Sequence, residues 1–315
     1  MNITIVGAGI VGCAIAHELA SRGVAVRLVD ERGAGLGATR ASAGMLAPHI
    51  EGHLAPLLAL SVRSLAMYDE FVRRAARDSG QTIEYERSGT LQVARTAAEA
   101  AALCESARAL GGQVDHALLD ANETRRMEPQ LAADVVGSLH VRDHAYVAAT
   151  ALTLALAAAA ARQGAAAVTA RVTSIEGGET PRVLTSDGRF DADAVIIAAG
   201  TWSGHVSGQI NAGSQAPIDV SRGVPSGSLH GHHTAVKPIR GQLLQLRLAT
   251  RPASRVIWGD RCYLVPWRDG SVLAGATVED VGFRKRNTVS AVRRLRREAS
   301  RLAPTKVRLF SRGTM

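Results

Sequence analysis

Aromatic side chains are scarce in this sequence: Phe, Trp and Tyr make up 3% of its 315 residues. A core with so few rings must rest on Ala, Val, Leu and Ile. An apolar content of 46% is enough for one large core or two modest ones, and it excludes a disordered chain. Cysteine is equally sparse. Cys13, Cys104 and Cys262 lie far apart, with no CxxC pair and no zinc-ligand spacing. That excludes a disulfide scaffold and fits a reducing cytoplasm. Lysine is nearly absent, with only Lys237, Lys285 and Lys306 among 37 basic residues, a bias that reads as genome composition rather than function. No apolar run reaches the ~20 residues that a membrane span needs. The longest, 146–161, is interrupted by Thr150 and Thr153 and closed by Arg162-Gln163-Gly164, so it reads as a buried or half-buried helix. The chain opens on an apolar strand, and no signal peptide is expected.

Charge is present in one place. Residues 284–312 hold eleven Lys or Arg and one acid, Glu298, a local balance of +10 against +9 for the chain, so the rest sums to −1. A near-neutral body argues against a dedicated nucleic-acid-binding domain and leaves the basic segment as the place where a polyanion could touch.

Periodicity gives a strand at 2–6, a helix at 10–22 and a strand at 24–30, a βαβ unit that opens the chain. A helix is expected over 54–78, with Leu57, Leu58, Leu60, Leu65, Met67 and Phe71 inward. Strands follow near 83–86 and 89–94, a helix over 97–110, and a strand near 137–142 before the alanine-rich helix. Strands at 168–175, 182–186 and 192–199 come next, with Asp187-Gly188 as a turn between the last two. Residues 203–234 carry little periodicity and read as a long loop. Strands at 242–247, 255–258, 262–266 and 271–276 precede a helix over 288–302.

Gly7-Ala8-Gly9-Ile10-Val11-Gly12 fits GxGxxG between the first strand and helix. Gly7 permits the tight turn, Gly9 lets a pyrophosphate approach the backbone, and Gly12 lets the helix pack on the strand. Ile10 and Val11 stand in the helix's first turn, whose amides favour an anion. Asp30 ends the second strand eighteen residues after Gly12, where an acid would hold ribose hydroxyls, with Glu31 beside it. The fingerprint points to a dinucleotide without separating NAD from FAD.

The next segment separates them by resemblance. Gly37-Ala38-Thr39-Arg40-Ala41-Ser42-Ala43-Gly44-Met45-Leu46-Ala47-Pro48 resembles the segment that follows the second strand in glycine oxidases of the thiamine pathway, within the D-amino-acid oxidase superfamily. There it runs beneath the flavin, which implies that Ala38, Thr39, Ala43, Gly44 and Met45 contact FAD. Val172 is similar in position to the valine whose backbone meets adenine. Ala198-Ala199-Gly200-Thr201-Trp202-Ser203 resembles the late turn back to the dinucleotide, which adds Gly200. Pro238 to Gln242, Cys262 to Pro266 and Gly275 to Val278 resemble strands of the substrate domain, so the resemblance covers about residues 2–303.

The resemblance implies an α/β fold. A Rossmann-like FAD-binding domain (1–84 and 146–206) would join an α+β substrate domain (85–145 and 235–303) with a mostly antiparallel sheet, plus a 207–234 loop and an unmatched 304–315 tail. The expected activity is FAD-dependent oxidation of glycine, a D-amino acid or another small amine, with oxygen as electron acceptor and hydrogen peroxide formed. Tyr263 is the expected catalytic and substrate-binding residue, its hydroxyl meeting the substrate carboxylate, and Val278 is an expected apolar wall. No metal, nucleic acid or membrane is expected, so His230, His232 and His233 read as loop residues. A homo-oligomer stays open. The family continues well past Pro304, with an arginine clamp for the carboxylate, a last strand and a turn beside the flavin. The chain is expected to be truncated and impaired. A D-amino-acid dehydrogenase feeding a quinone, a non-catalytic flavin-binding remnant and a basic-tail interaction protein remain as alternatives.

Overall fold

The structure, a computed structural model, describes residues 1–50, 55–207, 210–211, 236–248, 253–304, 307–308 and 313–314. Most of the 207–234 loop, with His230, His232 and His233, lies outside the described residues, as does most of the 304–315 tail. The chain divides into two units. One comprises Met1–Arg40, Arg74–Thr82 and Thr150–Pro238, the other Ala41–Arg73, Ile83–Ala149 and Ile239–Met315. Residues 41–73, 83–84 and 146–149, expected in the cofactor domain, fall in the second unit.

In the first unit, Asn2–Val6 lies inside a parallel sheet, between Ala194–Ile197 and Ala25–Asp30, with Ala166–Thr169 beyond the latter. The helix Ile10–Ser21 buries small side chains, Gly12, Cys13, Ala16 and Ala20. It stops because Gly23 takes φ +77°, which lets its amide donate to Ala20 O at 2.9 Å. The alanine-rich helix Ala149–Arg162 buries Leu152, Ala155, Leu156 and Ala159. A single strand expected over 168–175 is two strands in two sheets. Ala166–Thr169 completes the parallel sheet, and Val172–Glu176 pairs antiparallel with Arg182–Thr185. Ala170, buried between them, donates its amide to Asp30 O at 3.1 Å and so marks the exit from the first sheet. The Asp187-Gly188 turn leads into an extra strand, Gly188–Asp191, whose mostly exposed residues gave it no apolar signal.

Among the described residues, the second unit is built on a nine-stranded sheet. Its strands from Leu243–Leu248 through Ser271–Gly275, Tyr263–Pro266 and Val256–Trp258 are antiparallel. A parallel pairing to Thr90–Ala94 then leads to Gly137–Val141 and His116–Asp120. Residues 307–308 and 313–314 pair with Leu243–Leu248. The core joins Leu91, Leu244, Ile257 and Leu264 of the sheet to Leu295 and Leu302 of the helix Val289–Leu302. Asp120 and Glu123 form a capping box on the helix Ala121–Met127. A smaller sheet places Ala145–Val147 between Met45–Leu46 and Tyr85–Glu86.

The helix Ala55–Ser79 corrects its expected inner side. Leu65, Val72 and Ala75 are buried, but Leu57, Leu60 and Met67 are 48%, 65% and 62% exposed. Leu244→Ala, at a fully buried site, is expected to cost about 2–5 kcal/mol, and Leu60→Ala no more than about 0.5 kcal/mol. Urea unfolding of both variants checks this; equal shifts would refute the burial assignment.

Candidate functional site

The first unit holds a cavity of about 720 Å³ at the glycine-rich turn, lined by Gly7, Gly9, Ile10, Val11, Asp30, Glu31, Ala38, Thr39, Val172 and Gly200. Gly12 is not in the lining. A Cβ there would sit 1.9 Å from Gly7 O, so its smallness serves the turn itself. Gly7 has φ +106°, and a Cβ on it would meet Ala198 O at 2.4 Å. Gly9 differs: the one protein atom within 4 Å of a Cβ there is Thr39 Oγ1 at 3.5 Å, so a side chain at Gly9 would grow into the cavity. As N-cap, Gly9 offers no side chain to the helix amides. Thr39 Oγ1 accepts from Ile10 N at 3.2 Å, tying the 38–41 turn to the helix start. This cradle fits a pyrophosphate, held by backbone amides.

Asp30 is more committed than the sequence suggests. One carboxylate oxygen accepts from Ala8 N at 3.0 Å, the other from Arg32 N at 2.8 Å and Gly33 N at 3.1 Å. Its first task is to fasten the loop, and a ribose would share an acceptor already in use. Glu31 faces Arg171 at 3.6 Å and Arg32 at 3.7 Å. The sequence reading missed Arg32 and Trp202, whose guanidinium and ring meet at 4.8 Å and help to line the cavity. Cys13 is a packing residue, since burial, with the Asp30 charge adding, pushes its thiol up to about 12.

The second unit has its own cavity, of about 600 Å³. One wall is the small-residue segment 41–48, which contains Ala43, Gly44 and Met45. Gly44 is obligatory, because at φ +70° a Cβ would lie 1.8 Å from Val147 O. Another wall is a helix face with Ser61, Ser64 and Tyr68, and the sheet contributes Trp258, Tyr263 and Ala276. Tyr263 stacks on Trp258, with ring centroids 5.2 Å apart at 22°. Ser61, Ser64 and Tyr68 were legible only as polar breaks in an apolar helical stripe. Val278 is corrected. It is 82% exposed and absent from the lining; its strand ends at Gly275, and of the residues that follow, Ala276 lines the cavity and Thr277 is buried.

None of the described lining residues is a Lys, Arg, His, Cys, Asp or Glu; apart from the Trp258 indole, the polar side chains are hydroxyls. Arg240 is already spent: its guanidinium pairs with Glu279 and donates to Arg286 O at 2.8 Å. That pairing, helped by Thr277, holds the Glu279 carboxyl down to about 2. At the end of the 41–48 wall, His49 Nδ1 and His144 Nε2 lie 3.0 Å apart, their rings stacked within 10°. Burial, then the neighbouring His49 and His140, push His144 down to about 3, and burial also lowers His49.

A parallel sheet with a glycine-tightened cradle in one unit, and a small hydroxyl-bearing cavity in the other, are the parts of a dinucleotide-binding protein of the α/β class. The chain belongs to the FAD dependent oxidoreductase family (DAO), which matches residues 2–313, ten residues beyond the resemblance seen in the sequence. FAD is accordingly the cofactor. The chain is 30% identical over 313 residues to the bifunctional protein ThiO/ThiG of a Synechocystis species, covering 96% of this chain and 42% of that protein. It is 29% identical over 311 residues to glycine oxidase of Geobacillus kaustophilus, covering 96% and 77%. The crystal structure of that glycine oxidase matches with a TM-score of 0.83 at 28% identity, over 96% of this chain and 78% of the other.

Asp30→Ala is expected to lower the thermal midpoint even without FAD, since it removes acceptors from three amides, each bond worth about 1.5–3 kcal/mol. An unchanged midpoint in the flavin-free variant would mean that Asp30 serves the ligand alone. Because His144 is depressed in the fold, its contribution is complete above the ordinary imidazole value of 6.5 and is lost as pH falls toward about 3. Melting curves between neutral and mildly acidic pH should show this fall, and His144→Val should flatten it.

Proposed function

We propose that the chain is an FAD-dependent oxidase of a small amino acid or amine, of the glycine-oxidase type. The observation that carries this reading is the second cavity, small and walled by apolar side chains and hydroxyls. The reaction moves an α-hydrogen with its electron pair from substrate carbon, and needs no protein nucleophile, metal or strong base. Bound FAD supplies the two-electron acceptor, and oxygen is the proposed terminal oxidant, with hydrogen peroxide and an imine as products.

The chain's own residues would position the substrate. Tyr263 would donate its hydroxyl to the substrate carboxylate, and its stacking on Trp258 restricts where that hydroxyl can point. Tyr68, Ser61 and Ser64 would offer further hydroxyls from the helix side. The 41–48 segment, pinned by Gly44 against Val147, would present a flat backbone surface to the flavin ring. Gly7, Gly9, Ile10, Val11 and Thr39 would hold the pyrophosphate, Asp30 and Glu31 the ribose, and Val172 and Gly200 the adenine side. The chain spans well under half of the bifunctional relative, so any second activity of that protein is no part of this reading.

Purified protein reconstituted with FAD should show flavin absorption that glycine or D-alanine bleaches anaerobically, and peroxide should form on admitting air. Bleaching without peroxide, but with reduction of a quinone, would favour a dehydrogenase. Flavin bands that no amine bleaches would overturn the reading. Tyr263→Phe should raise KM by about three- to tenfold, the worth of one neutral hydrogen bond of about 0.5–1.5 kcal/mol.

A further inference from the structure

The helix Val289–Leu302 shows two unlike faces. Ala291, Leu295, Glu298, Ala299 and Leu302 are buried against the sheet. Arg293, Arg294, Arg296, Arg297 and Arg301 are all exposed, as are the basic residues 284–286 just before the helix. Glu298, the one acid of this stretch, is spent on Arg297 at 3.1 Å and Arg301 at 3.4 Å, and those guanidiniums help to hold its carboxyl below the usual range. Arg293, Arg294 and Arg296 have no ion-pair partner among the described residues. Neither cavity uses this face.

We propose that this arginine face docks the phosphate backbone of a nucleic acid. Five guanidiniums project along nine helical residues, which at about 1.5 Å per residue is a length of about 12 Å. A nucleic-acid duplex carries about one negative charge per 1.7 Å, some seven over that length. An acidic protein face of equal density would have to hold carboxylates at most positions, against their own repulsion. Arginine presents a planar fork of donors that fits phosphate oxygens in pairs. A bilayer is a poorer partner. A helix that lies in a membrane surface inserts its apolar side, and here that side is sealed in the core. Residues 284–302 carry a balance of +7 against +2 for all the others, so the positive field is local. Docking would be independent of sequence, since no described group here is placed to read a base edge.

The test is fluorescence anisotropy of a short labelled DNA duplex titrated with the whole chain at several salt concentrations, with and without FAD. Binding at low salt should weaken linearly on a log–log plot as salt rises. The triple variant R293Q/R294Q/R296Q, at exposed positions, should lose about tenfold or more in affinity at low salt and reduce the slope by up to about three. Its circular dichroism and thermal midpoint should match the parent. Should the triple variant fold poorly, Arg293→Glu alone gives the same test with a smaller loss. Absence of binding by the parent at low salt, or unchanged binding by these variants, overturns the proposal. It is equally overturned if polyglutamate or phosphatidylserine vesicles bind as well as the duplex at matched charge, since the face would then serve an acidic protein or a membrane.

Discussion

Three backbone amides converge on one carboxylate, and the first unit is arranged around that convergence. Asp30 receives Ala8 from the glycine-rich turn and Arg32 and Gly33 from the chain leaving the second strand. The bonds span both ends of the βαβ unit, so the acid fixes the turn against the strand end before any ligand arrives. Gly7 and Gly12 make the approach possible, and Thr39 adds a second fastening at the helix start. A cradle so restrained loses little conformational freedom on binding, which favours tight retention of a large cofactor.

The shortage of aromatic residues is distributed unevenly. The parallel sheet and its helices pack with Ala, Val, Ile and Leu, which lets elements approach closely. Rings gather instead in the second unit, where Tyr68 stacks toward Tyr85, Tyr146 meets Trp267 edge-on, and Trp258 faces Tyr263. Tyr68, Trp258 and Tyr263 line the cavity there. Large rigid side chains, used sparingly, give that cavity walls that bend little.

The βαβ unit was legible because its signals are local: a run of β-branched residues, glycines at fixed offsets, an acid at the strand end. The α/β class and the antiparallel sheet followed from periodicity joined to family resemblance. What escaped depended on contacts distant in sequence. Leu57, Leu60 and Met67 were read inward from their chemistry alone, yet the helix turns Leu65, Val72 and Ala75 to the core. Val278 is a cavity wall by family resemblance alone, yet it stands three residues beyond the end of its strand at Gly275 and is exposed. The sequence position of Asp30 does not reveal that the Ala8, Arg32 and Gly33 amides also fold back on its carboxylate. Arg32 and Trp202 lie 170 residues apart in sequence, and only the fold brings guanidinium to ring.

The absence of Lys, Arg, His, Cys, Asp and Glu from the described lining of the second cavity has a kinetic corollary. An amine gives up hydrogen with an electron pair only when its nitrogen lone pair is free, and the described walls offer no base to free it. On the proposed chemistry, the ammonium form dominant in neutral water would have to shed its proton to solvent or to a hydroxyl-bound water on the way in. The acid limb of the rate profile would then report the amine's own titration and move with it from one substrate to another, a property of the guest rather than of the host.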